Sequence, residues 1–158
     1  MLIRSIIFYF LLYFWTFILG IVCLPYLLLP ASYVRSVANL WIDGILNFLK
    51  FTCGITYEIR NKENVPNHAA IIASKHQSAF ETLLLFRLIN RSIFIHKREL
   101  FFIPVFGLYL KKSNMIAINR NQGTKAMRKM LDEVKQRILN GYSIIIFPDS
   151  DLVIICSN

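Results

Sequence analysis

The sequence predicts an α/β domain, a mixed, partly parallel sheet flanked by helices, preceded by N-terminal helices that associate with a membrane. Three observations predict it. No charge occurs between Arg4 and Arg35. After Gly54, short β-branched runs alternate with helical stretches, the rhythm of strands joined by crossover helices. The basic residues then crowd together: from Arg87 to Arg137 twelve Lys and Arg face only Glu99, Asp132 and Glu133.

The first element is the apolar run. Ser5 to Leu24 supplies twenty residues rich in Ile, Leu, Phe and Tyr, enough as a helix to cross about 30 Å of hydrocarbon. Pro25 and Pro30 then interrupt regular helix. A cleaved secretory signal has a shorter apolar core and small residues at the cut. Leu24-Pro25-Tyr26-Leu27 instead continues apolar, so the segment is expected to be retained. From Tyr33, Val34, Val37, Ala38, Trp41, Ile45, Phe48 and Leu49 recur at helical spacing, with Arg35, Asn39, Asp43, Asn47 and Lys50 opposite. Such a helix suits the membrane interface, with Trp41 at the headgroups, or packing against the rest of the domain. Residues 1–54 are therefore expected to anchor and 55–158 to form the α/β domain. The basic remainder puts that domain on the cytoplasmic side of a membrane, for a bacterial chain the inner one.

Ile55 to Arg60 alternates as a strand, and Asn61 to Asn67 is a polar loop around Pro66. Ala69 to Ser74 reads as a buried strand. Phe80 to Leu88 reads as a helix capped by Ser78, with Glu81 completing a capping box. Ser92 to His96 is the next strand, and Leu100 to Leu110 a helix broken around Pro104 and Gly107. Met115 to Asn119 is a short strand, Gly123 to Leu139 a helix with basic and apolar faces, and Ser143 to Phe147 a strand.

Composition narrows the partners. The chain has 158 residues, about one domain, of which 56% are hydrophobic and 17% charged, with a formal net charge of +9. A basic surface attracts phosphate-bearing partners, and the charge-free N-terminus selects membrane lipid over nucleic acid. Cys23, Cys53 and Cys156 are far apart and odd in number, a pattern that builds neither a disulfide framework nor a metal site.

The chemistry centres on His76-Gln77-Ser78-Ala79-Phe80-Glu81. A carboxylate that accepts from one nitrogen of an imidazole fixes the tautomer and leaves the other nitrogen as general base. An external alcohol would supply the nucleophile, giving the logic of a serine hydrolase without its serine. Ser78 lies only two residues from that base and shows no elbow turn, so it is counted with substrate binding rather than as nucleophile. The competing reading makes Glu81 a capping residue and His76 a polar strand end. His68 and His96 have no partner at useful spacing and are read as structural.

Ser74-Lys75-His76-Gln77-Ser78-Ala79-Phe80-Glu81-Thr82 resembles the first signature block of the glycerolipid acyltransferase family, with Glu where the family usually has Asp. Lys97-Arg98-Glu99-Leu100 and Ile103-Pro104-Val105-Phe106-Gly107 are similar to the stretch that follows that block. Ile116-Ala117-Ile118-Asn119-Arg120 resembles the second block. The resemblance implies the family's fold and the 1-acylglycerol-3-phosphate acyltransferase reaction, in which lysophosphatidic acid becomes phosphatidic acid. Acyl-CoA or acyl-carrier protein is then a co-substrate, with no further cofactor and no metal. It implies His76 and Glu81 as the catalytic pair and Arg120 as the holder of substrate phosphate, a role suited to a guanidinium fork. Lys97 is either a phosphate or pantetheine-side contact or a surface lysine.

The likeness breaks at the third block, where the family has Phe-Pro-Glu-Gly-Thr-Arg and this chain has Phe147-Pro148-Asp149-Ser150-Asp151-Leu152. A phosphate donor is lost, and Asp151 opposes an anionic substrate. The expectation is a truncated domain whose C-terminal part is missing. The alternatives are an inert, membrane-anchored fragment or an acyltransferase for another acceptor, such as glycerol-3-phosphate.

Overall fold

A computed structural model describes residues 2–75, 78–103, 105–118 and 123–147. The chain divides into two compact units, Met1–Lys62 with Pro104–Ser113, and Glu63–Ile103 with Asn114–Asn158.

In the first unit, α1 (Leu2–Val22) is 21 residues long, about 32 Å at the helical rise. Among the described residues it is the one helix long and apolar enough to cross a membrane. Leu2, Ile3, Phe10, Tyr13, Phe17 and Val22 on it are each more than half exposed, an apolar surface that water does not tolerate at this extent. The prolines interrupt as expected: a 3₁₀ turn, Leu24–Leu28, carries Pro25, and Pro30 is the N-cap of α2 (Ala31–Phe48). A wide helical turn, Leu49–Cys53, ends at Gly54, whose φ of 70° lets the Gly54 and Ile55 N–H groups close back onto Lys50 O and Leu49 O.

The two helices are joined by their tryptophans. Trp15 Nε1 donates to Trp41 O (3.2 Å), Trp41 Nε1 donates to Thr16 Oγ1 (2.9 Å), and Thr16 Oγ1 donates to Leu12 O (2.7 Å). Trp41 is thus engaged between the two helices, its one side-chain polar atom satisfied by α1. Gly44 makes room for the other indole: a Cβ there would lie 2.6 Å from Trp15 Cε2. Gly44→Ala gains about 1 kcal/mol of helix propensity, yet overpacking of a rigid ring costs about 1–3 kcal/mol. We expect a net loss, read as a lower melting temperature in detergent; an unchanged or higher one would show that the indole yields.

Also in this unit, α4 (Phe106–Lys112) packs against α2 and the Leu24–Leu28 turn. Tyr109 joins the cluster of Leu19, Cys23 and Val37, and its hydroxyl donates to Gly20 O (3.4 Å). Burial, with a smaller contribution from Cys23, pushes the phenol above its ordinary value, so it remains a donor. The broken helix expected over Leu100 to Leu110 appears as a turn, Arg98–Phe102, followed by α4.

The expected strand Ile55 to Arg60 is not formed. The segment runs irregularly, exposed throughout, with Arg60 and Glu58 paired at 3.1 Å on its surface. Alternation signals a half-buried face, but a strand exists only where a neighbour completes its ladder.

The second unit is a four-stranded sheet of order β1-β4-β2-β3, from β1 (Ile71–Ala73), β2 (Ser92–Lys97), β3 (Ile116–Ile118) and β4 (Ser143–Ile146). All three described pairings are parallel. No antiparallel member of the expected mixed sheet occurs among the described residues, because each junction contains a helix long enough for a crossover. Helices α3 (Ala79–Leu88) and α5 (Gly123–Leu139) are those the sequence predicts. Ile93 and Ile144 pack with Ile116 and with Val134 of α5. One residue on, Phe94 points the other way and stacks on Phe86 of α3 at 6.2 Å, as period-two alternation requires. At the start of the strands, Arg91 Nη2 donates to Asn140 O (2.9 Å), and the guanidinium lies over the Tyr142 ring at 4.6 Å.

Candidate functional site

A parallel sheet sends all its strands out at one edge, and open α/β sheets bind ligands there. The register fixes how that edge is built. Ala73 ends β1 beside Ile146, the last residue of β4. Ile145 is level with Phe94, and β2 and β3 continue to the pair Lys97 and Ile118. The sequence then reaches His76 three residues after β1, Arg120 two residues after β3 and Phe147 immediately after β4, while Lys97 closes β2. The outer strands lie three spacings apart, about 14 Å. Segments separated by some seventy residues of sequence therefore leave one edge within reach of a single small ligand.

Two of the five predicted site residues are described with their side chains. Ser78 is the N-cap of α3, and Glu81 occupies the third helical position. The Ser78 N–H donates to Glu81 Oε1 at 2.6 Å, the Ser78 hydroxyl donates to Oε2 at 2.7 Å, and the Phe80 N–H donates to Ser78 Oγ at 3.2 Å. The capping box inferred from the sequence is present. The hydroxyl proton of Ser78 is directed at a carboxylate, an arrangement that does not make it a nucleophile. His76 and Arg120 lie outside the described residues, as does the side chain of Lys97, so the expected approach of His76 to Glu81 lies outside them too. The same holds for Asp149, Ser150 and Asp151 of the third segment.

Of the two histidines read as structural, His68 is seen through its main chain and His96 through its ring. The His68 carbonyl accepts from Ser143 Oγ at 3.5 Å, and the His96 ring meets Phe101 edge-on at 4.7 Å.

Sequence reasoning missed how the third segment is seated. Phe147 stacks on Phe94 at 5.8 Å with the rings 6° from parallel, and Phe94 stacks in turn on Phe86. The ladder ties the exit of β4 to β2 and α3. The three aromatic residues were in view, but their alignment depends on a β2–β4 register that no local pattern specifies.

Known proteins resemble this arrangement. The family model described as Acyltransferase matches residues 56–152. A 1-acyl-sn-glycerol-3-phosphate acyltransferase from Pseudomonas aeruginosa is 33% identical over 150 residues, covering 93% of this chain and 58% of that protein. A human 1-acyl-sn-glycerol-3-phosphate acyltransferase beta is 28% identical over 118 residues, covering 73% of this chain and 42% of its own length. The chain thus spans little more than half of the bacterial relative. The crystal structure of the 1-acyl-sn-glycerophosphate acyltransferase from Thermotoga maritima superposes with a TM-score of 0.69 at 22% identity, over 94% of this chain and 60% of that one. That likeness is one of fold.

Proposed function

This chain belongs to the acyltransferase family, and from that premise we propose that it acylates the sn-2 hydroxyl of lysophosphatidic acid at a membrane surface, forming phosphatidic acid. The donor is a thioester, acyl-CoA or acyl-carrier protein. His76, oriented by Glu81, takes the proton of the acceptor hydroxyl. The hydroxyl oxygen bonds to the thioester carbonyl carbon, the carbon–sulfur bond breaks, and the imidazolium returns its proton to the leaving thiolate. Arg120 holds the acceptor's phosphate. Lys97 adds positive charge beside the phosphate-bearing substrates. The apolar α1 places the unit at a bilayer, the cytoplasmic face of a bacterial inner membrane, where a lipid acceptor is concentrated.

The observation that supports this reading best is the convergence of the four motif-bearing strand ends on one edge of a parallel sheet. It accounts for why distant sequence blocks are needed for one reaction. A second reading, a chain that binds lipid without turnover, is favoured by Asp151, an added negative charge in the segment after Phe147-Pro148. Membranes carrying the chain, supplied with labelled acyl-CoA or acyl-carrier protein, separate these readings. Phosphatidic acid formed from lysophosphatidic acid, but no product from glycerol-3-phosphate, is the expected result. Lipid binding without any labelled product would establish the second reading, and product only from glycerol-3-phosphate would change the acceptor.

A further inference from the structure

We propose that Ser78 is a positioning residue that fixes the Glu81 carboxylate for its partnership with His76; this rests on the catalytic pair proposed above. An ordinary capping box needs one bond from the N-cap backbone to the glutamate. Here Ser78 holds both carboxylate oxygens, Oε1 through its N–H at 2.6 Å and Oε2 through its hydroxyl at 2.7 Å. The hydroxyl is itself fixed, because it accepts from Phe80 N–H at 3.2 Å. Two points of attachment define the plane of a carboxylate, whereas one leaves it free to turn about the bond. The carboxylate has about four lone-pair sites, more than the two donors of Ser78 engage.

The need for this clamp follows from the sequence. The carboxylate to be oriented belongs to a glutamate, Glu81, one methylene longer than an aspartate. Glutamate carries one more rotatable bond, and an orienting carboxylate works only if its oxygens are held in place. Ser78 removes that extra freedom from one turn away, at the N-cap of α3. A carboxylate accepts from an imidazole N–H and favours the imidazolium formed during the reaction.

The decisive variant is Ser78→Gly. Glycine is nearly as good an N-cap as serine, so the helix end survives while the bond to Oε2 is lost. Ser78→Thr keeps the hydroxyl and serves as the rescue. With the full chain in detergent and its histidines carbon-13 labelled, the His76 ring is titrated by NMR, its signal identified by comparison with His68→Gln and His96→Gln. A neighbouring carboxylate raises an imidazole midpoint, so Glu81→Gln is expected to lower it. Ser78→Gly is expected to lower it in the same direction, and Ser78→Thr to restore it. In turnover, Ser78→Gly should reduce kcat roughly tenfold with KM for the acceptor unchanged. If Glu81→Gln moves the midpoint and Ser78→Gly leaves both midpoint and kcat alone, Ser78 is only a cap and the proposal is overturned while the catalytic pair stands. A rise in KM at constant kcat in Ser78→Gly would make Ser78 a substrate contact and overturn it equally. If Glu81→Gln does not move the midpoint, the pair itself fails, a result the titration gives without any turnover.

Discussion

His76→Ala is expected to reduce acyl transfer to lysophosphatidic acid by roughly 10²–10⁴-fold, the usual contribution of a positioned general base. The acceptor alcohol is a weak nucleophile until its proton is removed. The His96 ring meets Phe101 edge-on, and His68 precedes β1, at the entry end of the strands. The loss should fall on kcat, with membrane association and thermal stability unchanged, because α1 and the sheet do not depend on an imidazole. The pH dependence follows with a definite sign. Only neutral imidazole accepts a proton, so wild-type turnover falls as the solution is acidified, and the residual rate of the variant lacks that limb. A variant that keeps more than about a tenth of wild-type kcat would remove His76 from the mechanism.

Arg120→Ala is the second large effect. A charge-assisted bond to phosphate contributes about 1.5–3 kcal/mol, so KM for lysophosphatidic acid should rise roughly 10- to 100-fold. Arg120→Lys recovers part of this, since an ammonium supplies the charge without the bidentate fork. The control is a monoacylglycerol, which has the alcohol but no phosphate. With that acceptor, wild type and Arg120→Ala should perform alike. An equal loss with both acceptors would show that Arg120 supports the fold near β3 instead of reading the phosphate.

What the sequence reveals and what it conceals divide along one physical line. Features closed within a few residues are legible: the Ser78–Glu81 box starts α3 where the sequence puts it, and the apolar stripe of α5 runs over Gly123–Leu139 as expected. Pro25 and Pro30 separate α1 from α2 because a ring without an N–H acts locally. Features that need a distant partner are not legible. Ile55 to Arg60 has the alternation of a strand yet forms none. Trp41 lies on an apolar stripe visible in the sequence, but its partner Thr16, 25 positions away, is not. The candidate site is intermediate. Its residue types and spacings are visible in the chain, while the shared edge that unites them exists only once the strands are ordered β1-β4-β2-β3.

The tryptophan circuit between the first two helices has a consequence for how the chain meets lipid. In hydrocarbon, an indole donor with nothing to accept it is costly. Separated, α1 would carry the bare N–H of Trp15 and α2 that of Trp41. Joined, each donor finds its acceptor on the other helix. A pair that met hydrocarbon already joined would therefore carry no bare indole donor, whereas parting the helices there would expose two.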